Sequence, residues 1–191
     1  MPIGKIVQTS IEGVEVEGRI QKSGGNLDVI ITKPFHWLSK GSHITALARG
    51  RSSLAGKYGD ARAKGILRDL YQLGCFLRDN MERIQGEWHR GHERMKKRAH
   101  ELRIPDFSDD KAALKKRLKS GGIDNETYER LSARLLKKKE DFFQEFRRVD
   151  ENLFEKQFPM AVPHETRDRV LEILHEPNLL FYGTSTPRRK I

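Results

Sequence analysis

The sequence predicts an α+β protein that is mainly helical: a small N-terminal β-rich unit, a long antiparallel helical hairpin of the coiled-coil type, and a short C-terminal helix. Three observations lead to this prediction. Apolar and polar residues alternate between residues 14 and 32, as in a half-buried strand. From residue 66 onward, apolar residues recur every three or four positions, as on one face of a helix. Charged residues make up 34% of the 191 residues and apolar residues 36%, so the surface is large relative to the core.

Residues 1–46 are predicted to form the β-rich unit, with a hairpin over residues 14–32. Pairing residue 20 with residue 27 places the apolar side chains of both strands on one face. A lone hairpin is marginal in water, so other apolar residues of this unit must cover that face. The candidates for further strands and packing are Ile3, Ile6, Val7, Ile11, Phe35, Trp37, Leu38 and Ile44.

Residues 47–65 differ in composition from what precedes them. They hold four glycines, and five basic residues against one acidic residue. Because glycine lowers helix stability at each position, this segment is predicted to be a basic, glycine-rich connector.

Residues 66–158 are predicted to form the helical hairpin, with a turn region at 105–124. Pro105 ends the first helix, and a second apolar stripe begins at Tyr128. Two long stripes separated by a short break are typical of antiparallel helices. Residues 159–191 follow as a short helix and a basic tail. The first stripe consists of Ile66, Leu70, Leu73, Leu77, Met81, Ile84, Trp88, Met95, Ala99 and Leu102.

The Gly121-Gly122 pair interrupts a run that otherwise favours helix. One of these glycines is predicted to adopt the left-handed conformation that ends the helix before it. Ile123 then supplies an apolar contact, and the Asp124 side chain accepts from free amides of the next helix.

Residues 114–136 also resemble a known family. A short helix, a glycine, an apolar residue, a cap, an aromatic residue and a closing Leu-Leu are similar to the short C-terminal domain (SHOCT-like) family. That family usually has Leu where this chain has Gly122. The resemblance implies a helical hairpin that serves interaction or oligomerisation, in a bacterial or bacteriophage protein, with no catalytic residues. The matching residues are Leu114, Leu118, Gly121, Ile123, Glu126, Tyr128, Glu129, Ala133, Leu135 and Leu136.

The positive charge is concentrated in two stretches. Residues 47–65 carry +4 and residues 90–120 carry +6, which together account for the net charge of +10. In the hairpin the second stretch forms the tip, and converging Lys and Arg are typical of phosphate binding. We therefore expect a non-enzymatic protein without a cofactor that binds the backbone of DNA or RNA. The predicted contacts are Arg49, Arg51, Lys57, Arg62, Lys64, Arg90, Arg94, Lys96, Lys97, Arg98, Lys111, Lys115, Lys116, Arg117 and Lys119.

Two alternatives remain open at this stage. The helical stripes could pair between chains, which would make the protein an interaction scaffold or a homo-oligomer. His89 and His92, three residues apart on one helix, are weak candidates for the metal ligands of a hydrolase. The charge of the Lys137-Lys138-Lys139 run is answered by Glu140 and Asp141, so it is interpreted as an ordinary solvated face.

The cellular compartment is inferred from Cys75 and from apolar run length. A single cysteine cannot form an internal disulfide, which is typical of a reducing compartment. The N-terminus lacks the apolar core of a signal peptide, and apolar runs fall short of a membrane span. We expect a cytoplasmic protein without a membrane partner.

Overall fold

A computed structural model describes residues 3–23, 26–40 and 55–183. It is an α+β structure and mainly helical, as predicted. The chain divides into two compact units. The first, here called the sheet unit, comprises Met1–Gln85 and Pro159–Ile191, and the second, the helical unit, comprises Gly86–Phe158.

The sheet unit contains a four-stranded antiparallel sheet. Its strands are β1 (Ile6–Ile11), β2 (Val14–Ser23), β3 (Asn26–Lys33) and β4 (Trp37–Lys40), and each strand pairs with the next. The sheet is thus a meander, in which every strand follows its sequence neighbour across the sheet.

The predicted register of the central hairpin is wrong by two residues. Ile20 pairs with Val29, and Leu27 pairs with Lys22. Ser23 pairs with Asn26, so only two residues connect the strands, the shortest common hairpin connection. Because a shift of two residues keeps every side chain on its face, the predicted apolar face survives the error.

The buried face of the sheet contains four of the apolar residues that the alternation predicted, whereas Val14 is 38% exposed and the Leu27 side chain lies outside the described residues. Val16, Ile20, Val29 and Ile31 are each at most 1% exposed. The predicted covering residues divide into two groups. Val7, Ile11, Phe35 and Trp37 are buried, whereas Ile3 and Ile6 are 61% and 48% exposed and cover nothing. Ile44 and the Leu38 side chain lie outside the described residues.

Helix α1 (Ala55–Glu101) shows that the predicted connector is wrong from residue 55 onward. Residues 47–54 lie outside the described residues. Ala63 and Leu67 are completely buried, so the helix has an apolar face to bury before residue 66. Burial of that face outweighs the helix cost of glycine, which is about 1 kcal/mol per residue.

Close contacts fix α1 against residues of the sheet unit. The Leu67 side chain lies where a Cβ at Gly18 would stand, and the Phe35 ring lies where a Cβ at Gly74 would stand. Phe35 also stacks on Tyr71, with ring centroids 5.7 Å apart. Two glycines, one on a strand and one on the helix, thus allow large side chains to approach the backbone.

The C-terminal segment of the sheet unit forms α4 (His164–His175) and a short α5 (Leu179–Tyr182), where one helix was predicted. Gln85 of α1 donates from Nε2 to the Leu174 carbonyl oxygen at 2.6 Å. Leu174 and Leu180 are fully buried. The basic tail, residues 184–191, lies outside the described residues.

The helical unit contains the end of α1, then α2 (Phe107–Lys119) and α3 (Asn125–Lys156). Trp88 Nε1 donates to Asp150 Oδ1 at 2.9 Å, and His92 Nε2 lies 3.0 Å from the same oxygen. His92 also meets Phe146 edge-on, at 4.9 Å between centroids. The observed antiparallel pairing of α1 with α3 therefore involves residues 86–101 of α1.

The predicted start of the hairpin at residue 66 is therefore wrong by about six helical turns. The apolar residues of α1 before residue 86 serve the sheet unit, as the positions of Leu67 and Tyr71 show. A single continuous stripe thus packs on two different structures. The periodicity of the sequence does not distinguish them.

The turn between α2 and α3 confirms the prediction made from its glycines. Gly121 has φ +73°. The amide of Gly122 donates to the Arg117 carbonyl at 2.9 Å, and that of Gly121 to the Leu118 carbonyl at 3.1 Å. These two bonds form a Schellman motif. Asp124 Oδ1 then accepts from the Thr127 amide at 2.7 Å, which caps α3.

Candidate nucleic-acid interface

Five of the predicted contacts lie in the first third of the chain, and the structure places only two of their side chains. Arg49 and Arg51 lie outside the described residues, as does the side chain of Lys57, whose backbone is helical. Arg62 and Lys64 are exposed on α1 in the sheet unit. Lys64 lines a cleft of about 520 Å³ with the β1–β2 turn, together with Arg68.

The predicted contacts in the last turns of α1 are of two kinds, those that are exposed and make no ion pair within the described residues, and those already ion-paired with a glutamate. Arg90, Arg94 and Lys97 are exposed, and their spacing puts them on one face. Two others, in contrast, are ion-paired: Arg98 lies 3.3 Å from Glu101, and Lys96 lies 2.5 Å from Glu93. This hydrogen bond lowers the pKa of Glu93. A phosphate would have to compete with a carboxylate for Lys96.

Helix α2 carries a cationic stripe formed by Lys111, Lys115 and Lys119, four residues apart, with Lys116 beside it. All four side chains are exposed. Within the described part of the chain, none of the four makes an ion pair. The stripe is therefore available to an anion from solvent.

Two open cavities bring further cations together where α3 meets the other helices. The first, of about 320 Å³, lies between the end of α1 and α3. The second, of about 570 Å³, lies between α2 and α3 and is called the α2–α3 groove. Arg134 and Lys138 line both cavities. The first is lined by Arg98, Leu102, Arg134, Lys137, Lys138, Asp141, Phe142 and Glu145.

Three helices thus contribute to one group of cations. Arg98 comes from α1, Arg117 from α2, and the remaining three residues from α3. We call these five residues the cationic cluster: Arg98, Arg117, Arg134, Lys137 and Lys138. Of the predicted contacts, only Arg98 and Arg117 belong to it.

Sequence reasoning missed three members of the cluster. It treated Lys137, Lys138 and Lys139 alike, as a solvated run balanced by the next two acids. In the structure Lys139 Nζ lies 4.4 Å above the Phe107 ring, so it packs α2 onto α3. Leu131 and Leu135 line the α2–α3 groove, and Arg134 and Lys138 each follow one of them by three residues. This spacing is a signal that could have placed both cations beside the apolar stripe.

The charge balance around the cluster favours anions. Residues 94–145, which include the two acids that line the first cavity, hold fifteen Lys and Arg against ten Asp and Glu. Two of those acids are already engaged, since Arg103 lies 3.1 Å from Asp106 and 3.2 Å from Asp110. The hydrogen bond with Asp106, and the charges of both acids, raise the pKa of Arg103. Asp106 and Asp110 are therefore engaged with Arg103 rather than with the lysines of the stripe, whereas Asp109 is exposed.

The histidines of α1 have different surroundings from those a metal site requires. His92 is held between Trp88 and Phe146 and contacts Asp150, while His89 is exposed. Among the residues that the structure describes, no group of three or more His, Cys, Asp or Glu is placed to hold a metal ion. The hydrolase alternative therefore gains no support from this site.

None of the helices in the described ranges is both long enough and apolar enough to cross a membrane.

The resemblance of residues 114–136 to the short C-terminal domain family stays a prediction. Comparison of the chain with protein-family models, curated proteins and solved structures gives no match.

Proposed function

We propose that this protein is a non-enzymatic nucleic-acid-binding protein that contacts the phosphate backbone through the cationic cluster and the α2 stripe. The observation that carries the proposal is the gathering of five cations from three helices around two open cavities. Cations held close together repel one another in the free protein. A polyanion relieves this repulsion and releases its own counterions on binding.

The available aromatic groups favour backbone contact over stacking on bases. Phe107 is covered by Lys139, and Phe142, which lines the first cavity, is only 6% exposed. Phe143 is 46% exposed, but it lines neither cavity. Stacking of single-stranded bases needs exposed aromatic faces beside the cationic groove. We therefore expect binding that depends weakly on sequence and strongly on salt.

A charge-neutralising pair tests this proposal. Arg134→Gln with Lys138→Gln removes two cations shared by both cavities. Affinity for a duplex DNA or RNA should fall, and the slope of log affinity against log salt should decrease by about two contacts. The matched control is Arg147→Gln with Arg148→Gln, two exposed cations on the same helix outside the cluster.

The two variants have equal net charge, so they separate a site from general electrostatic attraction. Equal weakening by both would contradict a localised interface. No binding of the wild type to either duplex at low salt would remove the proposed function altogether.

The scaffold alternative rests on the exposed apolar residues of the helical unit, such as Leu136 and Phe143 at 50% and 46% exposure. If these residues pair two chains, the mass measured by sedimentation equilibrium should rise with protein concentration. A monomer at all concentrations would exclude self-association through this surface.

A further inference from the structure

The α2–α3 groove has an apolar floor that its own two helices leave uncovered. Ala113 and Leu114 come from α2, and Leu131 and Leu135 from α3. None of the four is buried, and no residue of α2 is buried at all. Apolar side chains that line an open cavity of about 570 Å³ leave room for side chains of a partner.

The rim of the groove is cationic. Arg117, Arg134 and Lys138 line it, and Asp110 is its only carboxylate among the lining residues. Asp110 is itself engaged with Arg103 at 3.2 Å. The groove therefore presents an apolar strip edged by positive charge that its own acid does not cancel.

We propose that the α2–α3 groove binds an amphipathic helix of another protein whose apolar face is flanked by Asp or Glu. A helix laid into a groove is anchored by apolar side chains at i, i+3 or i+4, and i+7. α2 has 13 residues and is therefore about 20 Å long, which matches three to four turns of a partner helix. The acidic flanks would lie beside the cationic rim, and this charge complementarity selects the partner.

Two other occupants fit the groove less well. A second copy of the chain carries a net charge of +10, and its own residues 94–139 are rich in cations. The cationic rim of the groove would therefore repel it. A nucleic acid would have no use for the leucine floor, because phosphates bind cations and bases need aromatic faces. The exposed Lys111, Lys115 and Lys119 stripe lies on a different face of α2 from Ala113, Leu114 and Arg117.

The groove shares Arg117, Arg134 and Lys138 with the proposed phosphate contacts, so a helix and a nucleic acid would compete for these three cations. Only the apolar floor is specific to the helix, and one pair of variants tests it. Ala113→Glu puts a carboxylate on the floor of the groove, where it meets both the apolar face and the acids of the partner. Ala112→Glu makes the same chemical change at the neighbouring exposed position, which does not line the groove. Both lower the net charge equally, but Ala112→Glu stands three and four residues before Lys115 and Lys116 on the face of the α2 stripe. It should therefore weaken nucleic-acid binding more than Ala113→Glu does, while Ala113→Glu weakens peptide binding.

The occupant can be identified without assuming its sequence. A library of displayed random peptides is selected on the full-length wild-type chain, with counter-selection on the Ala113→Glu variant. The enriched peptides should share apolar residues at helical spacing with Asp or Glu beside them. No enrichment, or a consensus that is basic, extended or without apolar anchors, would overturn the proposal.

Affinity measurements with one labelled consensus peptide complete the test. Ala113→Glu should weaken binding at least about tenfold, equivalent to about 1.4 kcal/mol, while Ala112→Glu should change it less than about twofold. Arg117→Glu should also weaken binding, and more strongly at low salt. Circular dichroism should show that all three variants keep their helicity. If the two Ala→Glu changes weaken binding equally, the groove is not the peptide's site. The same holds if the chain self-associates and its dimer, rather than a competing peptide, displaces the labelled peptide.

Discussion

The core of the sheet unit and the hairpin formed by α2 with the first half of α3 are built from the same kinds of apolar residue but bury them differently. Ile20, Val29, Ile31, Trp37 and Leu67 have no exposed surface. Between residues 107 and 139, all of which the structure describes, no residue is buried. A regular apolar stripe therefore predicts a helix face without predicting a closed core.

The difference has a geometric cause. In the sheet unit, Gly18 and Gly74 let Leu67 and Phe35 approach the backbone closely, so side chains are enclosed from several directions. Two paired helices can cover only the seam between them. In the hairpin that seam is filled by half-buried leucines, and the α2–α3 groove remains open beside it.

The same substitution in the two regions should show the largest difference. Leu67→Ala removes a fully buried side chain and should lower the free energy of unfolding of the sheet unit by about 3 kcal/mol. Leu131→Ala removes a half-buried one and should cost the hairpin about 1 kcal/mol. Hydrogen exchange of amides in each unit measures both. Equal losses would mean that the hairpin seam is packed as tightly as the core.

Overfilling the sheet unit should have the next largest effect. Gly74→Ala introduces a Cβ into the space of the Phe35 ring and should destabilise the sheet unit by about 2 kcal/mol. Gly65→Ala on the same helix has no atom within 4 Å of its new Cβ and should stabilise the helix by about 0.5 to 1 kcal/mol. Urea unfolding of both variants checks the opposite signs. A neutral Gly74→Ala would mean that Phe35 moves aside at little cost.

In the α2–α3 hairpin a glycine is needed for its backbone conformation, not to make room for a neighbouring side chain. Gly121→Ala places a Cβ on a residue with φ +73° and should destabilise the α2–α3 turn by about 1 kcal/mol. Gly122→Ala is the control, since its φ is not positive and its Cβ would stand 3.4 Å from the nearest atom, the Arg117 carbonyl oxygen.

If α2 and α3 fuse when this turn is lost, helicity should rise, and the α2 stripe and Arg117 should separate from the other four residues of the cationic cluster. Nucleic-acid affinity would then fall without any change in charge. An unchanged affinity in a variant shown by circular dichroism to have straightened would contradict the role of the hairpin in phosphate binding.

The smallest expected effect is the pH dependence of the α3 cap. Hydrogen bonds from the Thr127 side chain and its amide lower the pKa of Asp124 below its ordinary value. The stabilisation is therefore complete above the pKa of the unfolded state and is lost as the pH falls through the lower pKa of the folded state. Asp124→Ala should be less stable than wild type at neutral pH, and the gap should narrow in acid. A gap that stays constant to low pH would show that ionisation of Asp124 does not contribute.

Local chemistry was sufficient wherever a feature depends on neighbours in sequence. A left-handed glycine at 121 or 122, the cap at Asp124 and the alternating face of β2 and β3 were predicted and are confirmed, with Gly121 as the left-handed residue. The hairpin register was not, because an even shift leaves every face unchanged and the pattern alone cannot select between the two pairings.

Long-range packing decided the features that the sequence left open or misassigned. The glycines between residues 55 and 65 argued for a connector, but Ala63 and Leu67 bury their face and hold the segment helical. Arg134 and Lys138 gained their place in the cationic cluster from the packing of α1 and α2 on either side of α3.

By itself, the sequence determined the α+β class, the helical periodicity, the local turn at 121–124 and the concentration of positive charge in residues 90–120, because each depends on residue type and short spacing. Only the tertiary structure decided where the apolar stripe of α1 changes from the sheet unit to α3. It also decided which lysines of α3 face a cavity and which one packs on the Phe107 ring, and it left the α2–α3 seam open. These depend on which surfaces meet, and residues far apart in the chain, such as Phe107 and Lys139, supply those surfaces.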